Sequence, residues 1–315
     1  MAEPIVTLTL NPSVDESTSV ERVVPEAKLR CAPQRYDPGG GGVNVARVLA
    51  RMGRATLAVF PAGGVTGGLL DRLLDAEGVP NQVVPVAGDT RVNLHVDETA
   101  TGAQYRFNMP GSALSPDELE ACVEAALLAA RGSGCLVASG SLPPGAPEDA
   151  FARLARRAAA DGIRMALDTS GAAMAAAVAA GVWFLKPNRR ELGEWAGRQL
   201  RETSDVVRAA RSLRERSGAA LVVVTLAEQG AVFVTPDAAG LAAIPPVRAV
   251  SKVGAGDSTV AGIVARLADG ASAEEAVRFG LACGAAAVMA DGTQLCRPQD
   301  VAAVLASMPP VTSLT

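Results

Sequence analysis

The residues best suited to chemistry lie in the stretch Val253-Gly254-Ala255-Gly256-Asp257-Ser258, which runs into an apolar helical segment. Glycine and alanine leave backbone N–H groups accessible, and the free N–H groups of a helix start carry the positive end of its dipole. Asp257 places a carboxylate at this turn, where it can accept a proton from a nucleophile. The turn suits a developing negative charge, so the pattern favours phosphoryl transfer to an alcohol. A tight turn with an N-capping aspartate is the alternative.

A second polar stretch, Lys186-Pro187-Asn188-Arg189-Arg190-Glu191, follows the strand-like segment 182–185. Ligands of parallel α/β sheets bind beyond the carboxyl ends of the strands. Asn188 and Glu191 share a helix face, and hard oxygen ligands at this spacing suit Mg²⁺, often through waters. A capping box has the same spacing and is the alternative. The chain uses arginine almost everywhere a basic residue will serve, so Lys186 marks a position where a compact ammonium is needed.

A run of glycines at residues 39–42 precedes the helical pattern Val43-Asn44-Val45-Ala46. Glycines let a ligand approach backbone N–H groups closely, and Asn44 can hydrogen-bond a polyol. A dinucleotide-binding turn is not favoured, because no acidic residue follows a second strand about 20 residues on. The sequence has no Gly-x-x-x-x-Gly-Lys-Ser/Thr pattern, which excludes a P-loop nucleotidase.

Charged residues fall on two β-rich segments, 13–37 and 89–108. Asp15 can hold sugar hydroxyls, and cations on the same segments can hold a phosphate, which arginine engages bidentately. These cations are Lys28, Arg30 and Arg91. In the alternative interpretation, each of these cations is a solvated surface charge. A binding role is favoured because the cations fall on the two segments that would cap one site.

Composition narrows the classes of chemistry. The chain has 315 residues, 49% of them apolar, and a net charge of -4 that gives no reason to expect nucleic-acid binding. The single histidine, His95, nearly excludes Ser-His-Asp catalysis and multi-histidine metal sites. Five cysteines without Cys-x-x-Cys spacing argue against disulfides or zinc and favour a cytoplasmic protein. No apolar run approaches ~20 residues and no signal-peptide pattern is present, so we expect no membrane span.

The elements that must position these groups alternate between helix and strand. Helical patterns precede buried strand-like runs at 115–131 and 135–139, 147–161 and 163–168, 171–180 and 182–185, and 204–217 and 220–225. This alternation predicts an α/β fold with a mainly parallel sheet covered on both faces. Helices at about 67–77, 256–268 and 273–290 complete the pattern. The β-rich segments 13–37 and 89–108 predict a small sheet suited to be a lid.

On these motifs the chain resembles the PfkB/ribokinase family of carbohydrate kinases over essentially its whole length. Both family signatures are matched, at residues 39–46 and 253–258, together with Lys186-Pro187-Asn188 and Glu191. The resemblance implies a single ribokinase-like domain, 1–315, with three α/β/α layers and a β-sheet lid. It also implies ATP and Mg²⁺ as cofactors.

The resemblance assigns roles to individual residues. Asp257 is similar to the family's general base, and the amides of Gly254, Ala255 and Gly256 are similar to its anion hole. The region for nucleotide phosphate and Mg²⁺ is implied at Lys186, Asn188 and Glu191. The loop that holds ATP is implied at Thr225, Ala227 and Gly230, with Gly256 beside it. Sugar-phosphate contacts are implied at Asp15, Lys28, Arg30, Gly39, Gly40, Gly41, Asn44, Arg91, Ser139 and Gly140.

Some family members bind a potassium ion through loops that match Ser251, Val253, Ala287 and Gly292. Two residues, Ala290 and Gln294, depart from the side chains expected at this cation site. Lys252 stands where a small threonine is usual in the family, and a contact with nucleotide phosphate and a solvent-exposed position are the two alternatives for it.

Within the family, the phosphosugar branch is most similar. The resemblance implies transfer from ATP to the C1 hydroxyl of fructose 6-phosphate, and four consecutive glycines favour this 6-phosphofructokinase interpretation. The alternatives are 1-phosphofructokinase and tagatose-6-phosphate kinase activity and, outside catalysis, a sugar- or nucleotide-binding regulator. A homodimer through the lid is implied, because an uncovered sheet favours burial.

Overall fold

Amphipathic helices alternate with apolar strands along most of the chain, and this alternation builds the fold. The computed structural model describes residues 3–251, 253–290, 292 and 294–314. Within these residues the strands are β1 (Ile5–Leu8), β2 (Ser13–Val20), β3 (Arg35–Gly39), β4 (Thr56–Ala62), β5 (Asn81–Pro85), β6 (Arg91–Glu98), β7 (Gln104–Phe107), β8 (Cys135–Ser139), β9 (Arg164–Asp168), β10 (Phe184–Leu185), β11 (Leu221–Thr225), β12 (Ala231–Val234), β13 (Ala239–Ala242) and β14 (Thr312–Ser313). The helices are α1 (Gly41–Arg51), α2 (Gly64–Ala76), α3 (Pro116–Ala130), α4 (Ala150–Ala160), α5 (Gly171–Ala180), α6 (Arg189–Trp195), α7 (Thr203–Ser217), α8 (Ala255–Ala268), α9 (Ala273–Val288) and α10 (Pro298–Ser307).

Ten of the described strands form one sheet, in the order β14-β13-β12-β11-β10-β9-β8-β1-β4-β5. The strands from β11 to β5 in this order pair in parallel. Strands β11 to β14 form an antiparallel edge. The central strands β1 and β8 are buried throughout, as helices on both faces of a parallel sheet require. The predicted mainly parallel α/β sheet is therefore confirmed.

Two hydrophobic cores lie on opposite faces of this sheet. Helices α3, α4, α5 and α7 pack on one face around side chains that include Phe151, Leu154 and Leu213. Helices α1, α8, α9 and α10 pack on the other face, around Val48 and Ile263 among others. The domain therefore has the three layers of helix, sheet and helix that the resemblance implied.

The order of the strands reverses at β1, which lies between β4 and β8. In open α/β sheets, the crevice beyond the carboxyl ends of the strands at such a switch point binds ligands. Ser139, Asp168, Lys186 and Thr225 lie at or directly after the carboxyl ends of β8, β9, β10 and β11. Four polar side chains are thus brought to one edge of the sheet by four strands that are separate in the sequence.

A separate four-stranded sheet has the order β3-β2-β6-β7. Its central strands β2 and β6 run in parallel and set Asp15 opposite Asn93, whereas both edge pairs are antiparallel. Side chains alternate between the two faces of a sheet, so the row that contains Tyr36, Leu94 and Phe107 lies on the face opposite to Asp15. One face is therefore polar, and the other exposes large apolar side chains.

Some boundaries differ from those expected from the sequence. Helix α2 begins at Gly64 rather than 67, although glycine disfavours a helix, because Gly67 N donates to Gly63 O over 3.0 Å. Strand β5 joins the edge of the large sheet beside β4 and lies outside the segments 13–37 and 89–108 that were expected to form the small sheet. Helix α9 ends at Val288, two residues early. In the described residues, no helix is long and apolar enough to cross a membrane.

Candidate active site

Helix α8 begins without a side-chain cap on its first amide groups. Its N-cap is Gly254, at φ +73°, where a β-carbon would lie 2.3 Å from Leu295 Cδ2. The left-handed backbone favours glycine at this position, and a side chain there would also have to displace Leu295. Asp257 lies within the first helical turn and hydrogen-bonds to Asn44 instead of the helix amides. The alternative of an N-capping aspartate is therefore wrong.

The Asp257 carboxylate is surrounded by groups of both charges. Its Oδ2 accepts a hydrogen bond from Asn44 Nδ2 over 2.9 Å. Burial and the nearby Asp168 carboxylate raise the pKa of Asp257 to about 6, against the opposing effects of Asn44 and Lys186, while Asp15 adds to the rise. A carboxylate with this pKa is ionised at neutral pH and still accepts a proton readily, as a general base requires.

Lys186 follows β10 and is buried, with 5% of its surface exposed. Its Nζ lies 3.2 Å from Asp168 Oδ1, and a β-carbon built on Gly256 would lie 3.5 Å from the same nitrogen. Burial alone would lower the pKa of Lys186, but the carboxylates of Asp168, Glu191 and Asp257 outweigh burial and raise it. The ammonium therefore stays charged beside the start of α8.

Asn188 and Glu191 form the capping box that was the alternative to a metal site. Glu191 N donates to Asn188 Oδ1 over 2.9 Å, and Asn188 N donates to Glu191 Oε2 over 2.8 Å. Among the described residues, no group of three His, Cys, Asp or Glu side chains could hold a metal directly. The two side chains therefore cap α6. Their role in binding Mg²⁺ stays a prediction, in which waters or nucleotide phosphate would supply the remaining ligands.

The glycine run brings α1 against two other parts of the site. A β-carbon on Gly39 would lie 2.5 Å from the Asp15 carboxyl group, and one on Gly41 would lie 2.4 Å from Ser139 Oγ and 2.8 Å from Gly140 N. Gly40 adopts φ +108°. Side chains at these positions would fill the space between β2, α1 and the turn after β8, so the glycines keep the crevice open.

Asp15 is buried on the polar face of the small sheet and has two hydrogen-bond donors. Its Oδ1 accepts from Ser13 Oγ over 2.8 Å and from Asn93 Nδ2 over 2.9 Å. These donors orient the carboxylate, and its other oxygen, Oδ2, lies outside this pair of bonds. The structure places Asp15 against Gly39 and near Asp257, which Asn44 contacts, and a sugar-binding role for them stays a prediction.

The predicted phosphate-binding cations are placed differently from one another. Arg91 donates to three backbone carbonyls, with distances of 3.3 Å to Pro12 O, 2.7 Å to Met109 O and 2.8 Å to Asn11 O. It therefore braces the loops that contain these carbonyls, and its contact with a phosphate stays a prediction. Lys28 and Arg30 lie exposed in the segment between β2 and β3.

The expected nucleotide loop follows β11. Thr225 N donates to Pro187 O over 3.1 Å, which joins this strand end to the Lys186 segment. Ala227 adopts φ +54°, a left-handed conformation that is unusual for alanine, and Gly230 adopts φ +93°. Backbone strain of this kind clusters at functional sites, and a nucleotide-binding role for the loop stays a prediction.

The residues expected at a potassium site lie around the end of α9. Ser251 N donates to Val288 O over 3.1 Å, and Val253 N donates to Ser251 Oγ over 3.3 Å, so this segment packs beside Ala287. Gly292 lies against Arg35 of β3, because a β-carbon there would be 2.5 Å from Arg35 Nη2. Lys252 lies outside the described residues.

Two site residues were missed by the sequence analysis, Asp168 and Asn93. Asp168 reaches the site because β9 pairs with β8, which sets it beside Ser139. Asn93 reaches Asp15 through the pairing of β2 with β6. A polar residue at the end of an apolar strand was an available signal for Asp168, whereas Asn93 depends on a register that the sequence does not show.

Known proteins share this architecture and its sequence. Residues 8–300 match the model of the pfkB family carbohydrate kinases. The chain is 45% identical over 303 residues to ATP-dependent 6-phosphofructokinase isozyme 2 of Escherichia coli strain K12, across 96% of this chain and 98% of that protein. It is 38% identical over 276 residues to a 1-phosphofructokinase of Xanthomonas campestris, across 86% of each chain.

Solved structures agree. Phosphofructokinase-2 from Escherichia coli in complex with fructose-6-phosphate has a TM-score of 0.91 and 44% identity, across 97% of this chain and 99% of that chain. The same enzyme in complex with potassium has a TM-score of 0.92 and 45% identity over the same shares of 97% and 99%. The family match spans most of the chain and coincides with the site described above, so the chain belongs to the pfkB family of carbohydrate kinases.

Proposed function

We propose that the chain transfers the γ-phosphoryl group of ATP to the C1 hydroxyl of fructose 6-phosphate. The observation that carries the proposal is Asp257, a partly buried carboxylate with a pKa of about 6 in the first turn of an uncapped helix. The buried ammonium of Lys186 lies beside the same turn. The relatives named 6-phosphofructokinase support the choice of sugar.

Each of these residues has a separate role in the proposed reaction. Asp257 takes the proton of the C1 hydroxyl while that oxygen bonds to the γ-phosphorus, and the bond to the β,γ-bridging oxygen breaks to release ADP. The amides of Gly254, Ala255 and Gly256 face the charge of the transferred group. Lys186 adds a fixed positive charge there.

Mg²⁺, when bound, neutralises the charge of the nucleotide phosphates. Glu191 and Asn188 are proposed to hold its waters, since the capping box uses Glu191 Oε2 and leaves Oε1 available. A potassium site at Ser251, Val253, Ala287 and Gly292 is part of the proposal, and the potassium complex of the Escherichia coli enzyme supports it. The nucleotide itself is proposed to lie along the Thr225, Ala227 and Gly230 loop.

The sugar is proposed to lie between the small sheet and α1. Asp15 and Asn44 hold its hydroxyls, and the sheet acts as a lid that excludes water during transfer. Lys28 and Arg30 are exposed and point to a phosphate contact made across a homodimer, because the apolar face of the lid also exposes Tyr36 and Phe107.

The test is a comparison of kcat/KM for fructose 6-phosphate, fructose 1-phosphate, tagatose 6-phosphate and free hexoses with purified protein and MgATP. We expect fructose 6-phosphate to be among the best substrates. Preference for fructose 1-phosphate would replace the proposal with 1-phosphofructokinase activity, which the relative from Xanthomonas campestris favours. No ADP release with any sugar would indicate a non-catalytic binding protein.

A further inference from the structure

The Asn44 amide that reaches Asp257 is held from its other side by Arg47. Helix α1 places the two residues three positions apart, on one face. Arg47 Nη1 donates to Asn44 Oδ1 over 3.2 Å, while Asn44 Nδ2 donates to Asp257 Oδ2 over 2.9 Å. Both neighbours select one orientation, because a flipped amide would set its oxygen against the carboxylate and its NH₂ group against the guanidinium.

Arg47 is itself immobilised. Its side chain is fully buried, and Nε donates to Glu77 Oε2 over 3.0 Å while Nη2 donates to Glu77 Oε1 over 2.5 Å. Nη1 also donates to Pro38 O over 2.8 Å. A bidentate carboxylate and two further acceptors fix the plane of the guanidinium. An apolar side chain would fill a buried position at lower cost in desolvation, so packing alone does not account for an arginine here.

We infer that Arg47 is a positioning residue for the reaction, which fixes the Asn44 amide so that its NH₂ group faces Asp257. The inference rests on the proposed role of Asp257 as the base. Arg47 acts through Asn44, and the same guanidinium anchors the carbonyl of Pro38 directly before the glycine run. One buried side chain thus sets both the donor to the base and the start of the sugar-binding turn.

A pH profile distinguishes positioning from simple support of the fold. The charged groups around Asp257 are Lys186 and Asp168 at the strand ends and Asp15 on the small sheet, with Asn44 as its donor from α1. Asn44 favours the ionised carboxylate, so its loss raises the pKa of Asp257 and moves the acid limb of kcat/KM to higher pH. The sugar phosphate also ionises near pH 6, but equally for every variant.

The experiment compares Arg47→Lys, Asn44→Ala and their double variant with Arg51→Lys as the matched control. Arg51 lies one turn later on α1 and donates to the same Glu77 over 3.1 Å, without a bond to Asn44. For Arg47→Lys we expect kcat to fall about 10-fold or more and the acid limb to rise by about half a pH unit, with KM for ATP unchanged. The double variant should match Asn44→Ala, and Arg51→Lys should match wild type.

The inference would be overturned if Arg47→Lys kept the wild-type kcat and the wild-type acid limb. It would also be overturned if the loss of kcat in the double variant equalled the product of the losses in Arg47→Lys and Asn44→Ala. If Arg47→Lys melts below the assay temperature, Glu77→Gln replaces it, because this variant loosens the guanidinium from a partly exposed partner. An unmoved acid limb in Glu77→Gln would then overturn the inference. Near-wild-type turnover of Asp257→Asn would instead overturn the proposed base, so the two failures are distinguishable.

Discussion

Asp257 lies near two other carboxylates, Asp15 and Asp168, and the charge of Lys186 offsets them in part. The folded protein therefore holds this residue at a pKa of about 6, above the ordinary value of 3.8. The raised pKa favours proton transfer in turnover, but the buried charge lowers the stability of the fold. A single isosteric substitution, Asp257→Asn, measures both effects.

The first prediction concerns turnover. Asp257→Asn keeps the shape of the side chain but cannot take the hydroxyl proton, so kcat should fall by about 10²–10⁴-fold. KM for ATP should change little, because the substitution leaves the amides of α8 and the Lys186 ammonium in place. Steady-state assays with fructose 6-phosphate, or with the best sugar of the panel, provide the measurement. A KM for ATP that rises as much as kcat falls would instead indicate a role in nucleotide binding.

The second prediction concerns stability. Because folding raises the pKa of Asp257, ionisation of this residue lowers the free energy of unfolding. This cost is absent below about pH 4, grows between about pH 4 and the folded-state pKa of about 6, and is fully present above that value. Asp257→Asn should therefore be more stable than wild type at pH 7.5, by about 1–3 kcal/mol, with a smaller gain at pH 5. Urea unfolding at both values tests this. Equal stability of the two proteins at pH 7.5 would contradict the burial of a costly charge.

At the residue scale, the sequence predicts the groups whose neighbours along the chain carry a signal. The glycines directly before Asp257 indicate a helix start that can bind an anion, and the three-residue spacing of Asn188 and Glu191 places them on one helix face. Asn93 and Arg47 carry no such signal, because their importance arises from partners that the pairing of β2 with β6 and the packing of α1 bring close in the folded state. The three carbonyl partners of Arg91 also carry no signal in the sequence, and its predicted contact with phosphate stays a prediction.

At the scale of elements, the parallel strands follow directly from their apolar runs. The helix boundaries that differ are those at glycine-rich or tertiary-stabilised turns, such as the start of α2 at Gly64. Helix α6 is only seven residues long and depends on its capping box. The same two side chains are proposed to serve Mg²⁺, so the structural and functional roles of α6 need separate tests.

The third prediction separates these roles. In Glu191→Gln, the amide oxygen still accepts from Asn188 N, so the capping box remains and the melting temperature should stay within about 2 °C of wild type. The lost charge should raise the Mg²⁺ concentration for half-maximal activity about 3-fold or more. Glu194→Gln, on the same helix and paired to Arg190, is the matched control. An unchanged Mg²⁺ dependence in Glu191→Gln would leave the capping box as the whole role of the residue.

At the scale of the whole molecule, the small sheet exposes apolar side chains to solvent. Tyr36 is 40% and Phe107 48% exposed, at opposite edges of the same face. Exposed apolar side chains of this size are typical of a surface that another protein covers. If a second copy covers the sheet, the exposed Lys28 and Arg30 can reach the site of that copy. The sequence predicts this arrangement through resemblance, because no local pattern distinguishes an exposed strand face from a covered one.

The fourth prediction tests that assembly. Phe107→Asp puts a charge on the apolar face, so light scattering coupled to gel filtration should show a monomer where wild type is a dimer or larger. KM for the sugar phosphate should rise, because Lys28 and Arg30 of the second copy are lost. Val65→Asp, at a position 87% exposed on α2, is the matched control. A monomeric wild type, or a Phe107→Asp protein of unchanged mass, would rule out dimerisation through this face.

The pairing of Asp15 with Asn93 also determines when the proposed sugar site can form during synthesis. These residues are 78 positions apart in the chain, and the parallel pairing of β2 with β6 needs both. A ribosome adding 5–20 residues per second exposes Asn93 roughly 4–16 s after Asp15. During that interval the edge of β2 that β6 later covers has no partner strand, and an uncovered strand edge is a template for pairing with another chain. The small sheet therefore cannot close around Asp15 until Asn93 has been synthesised.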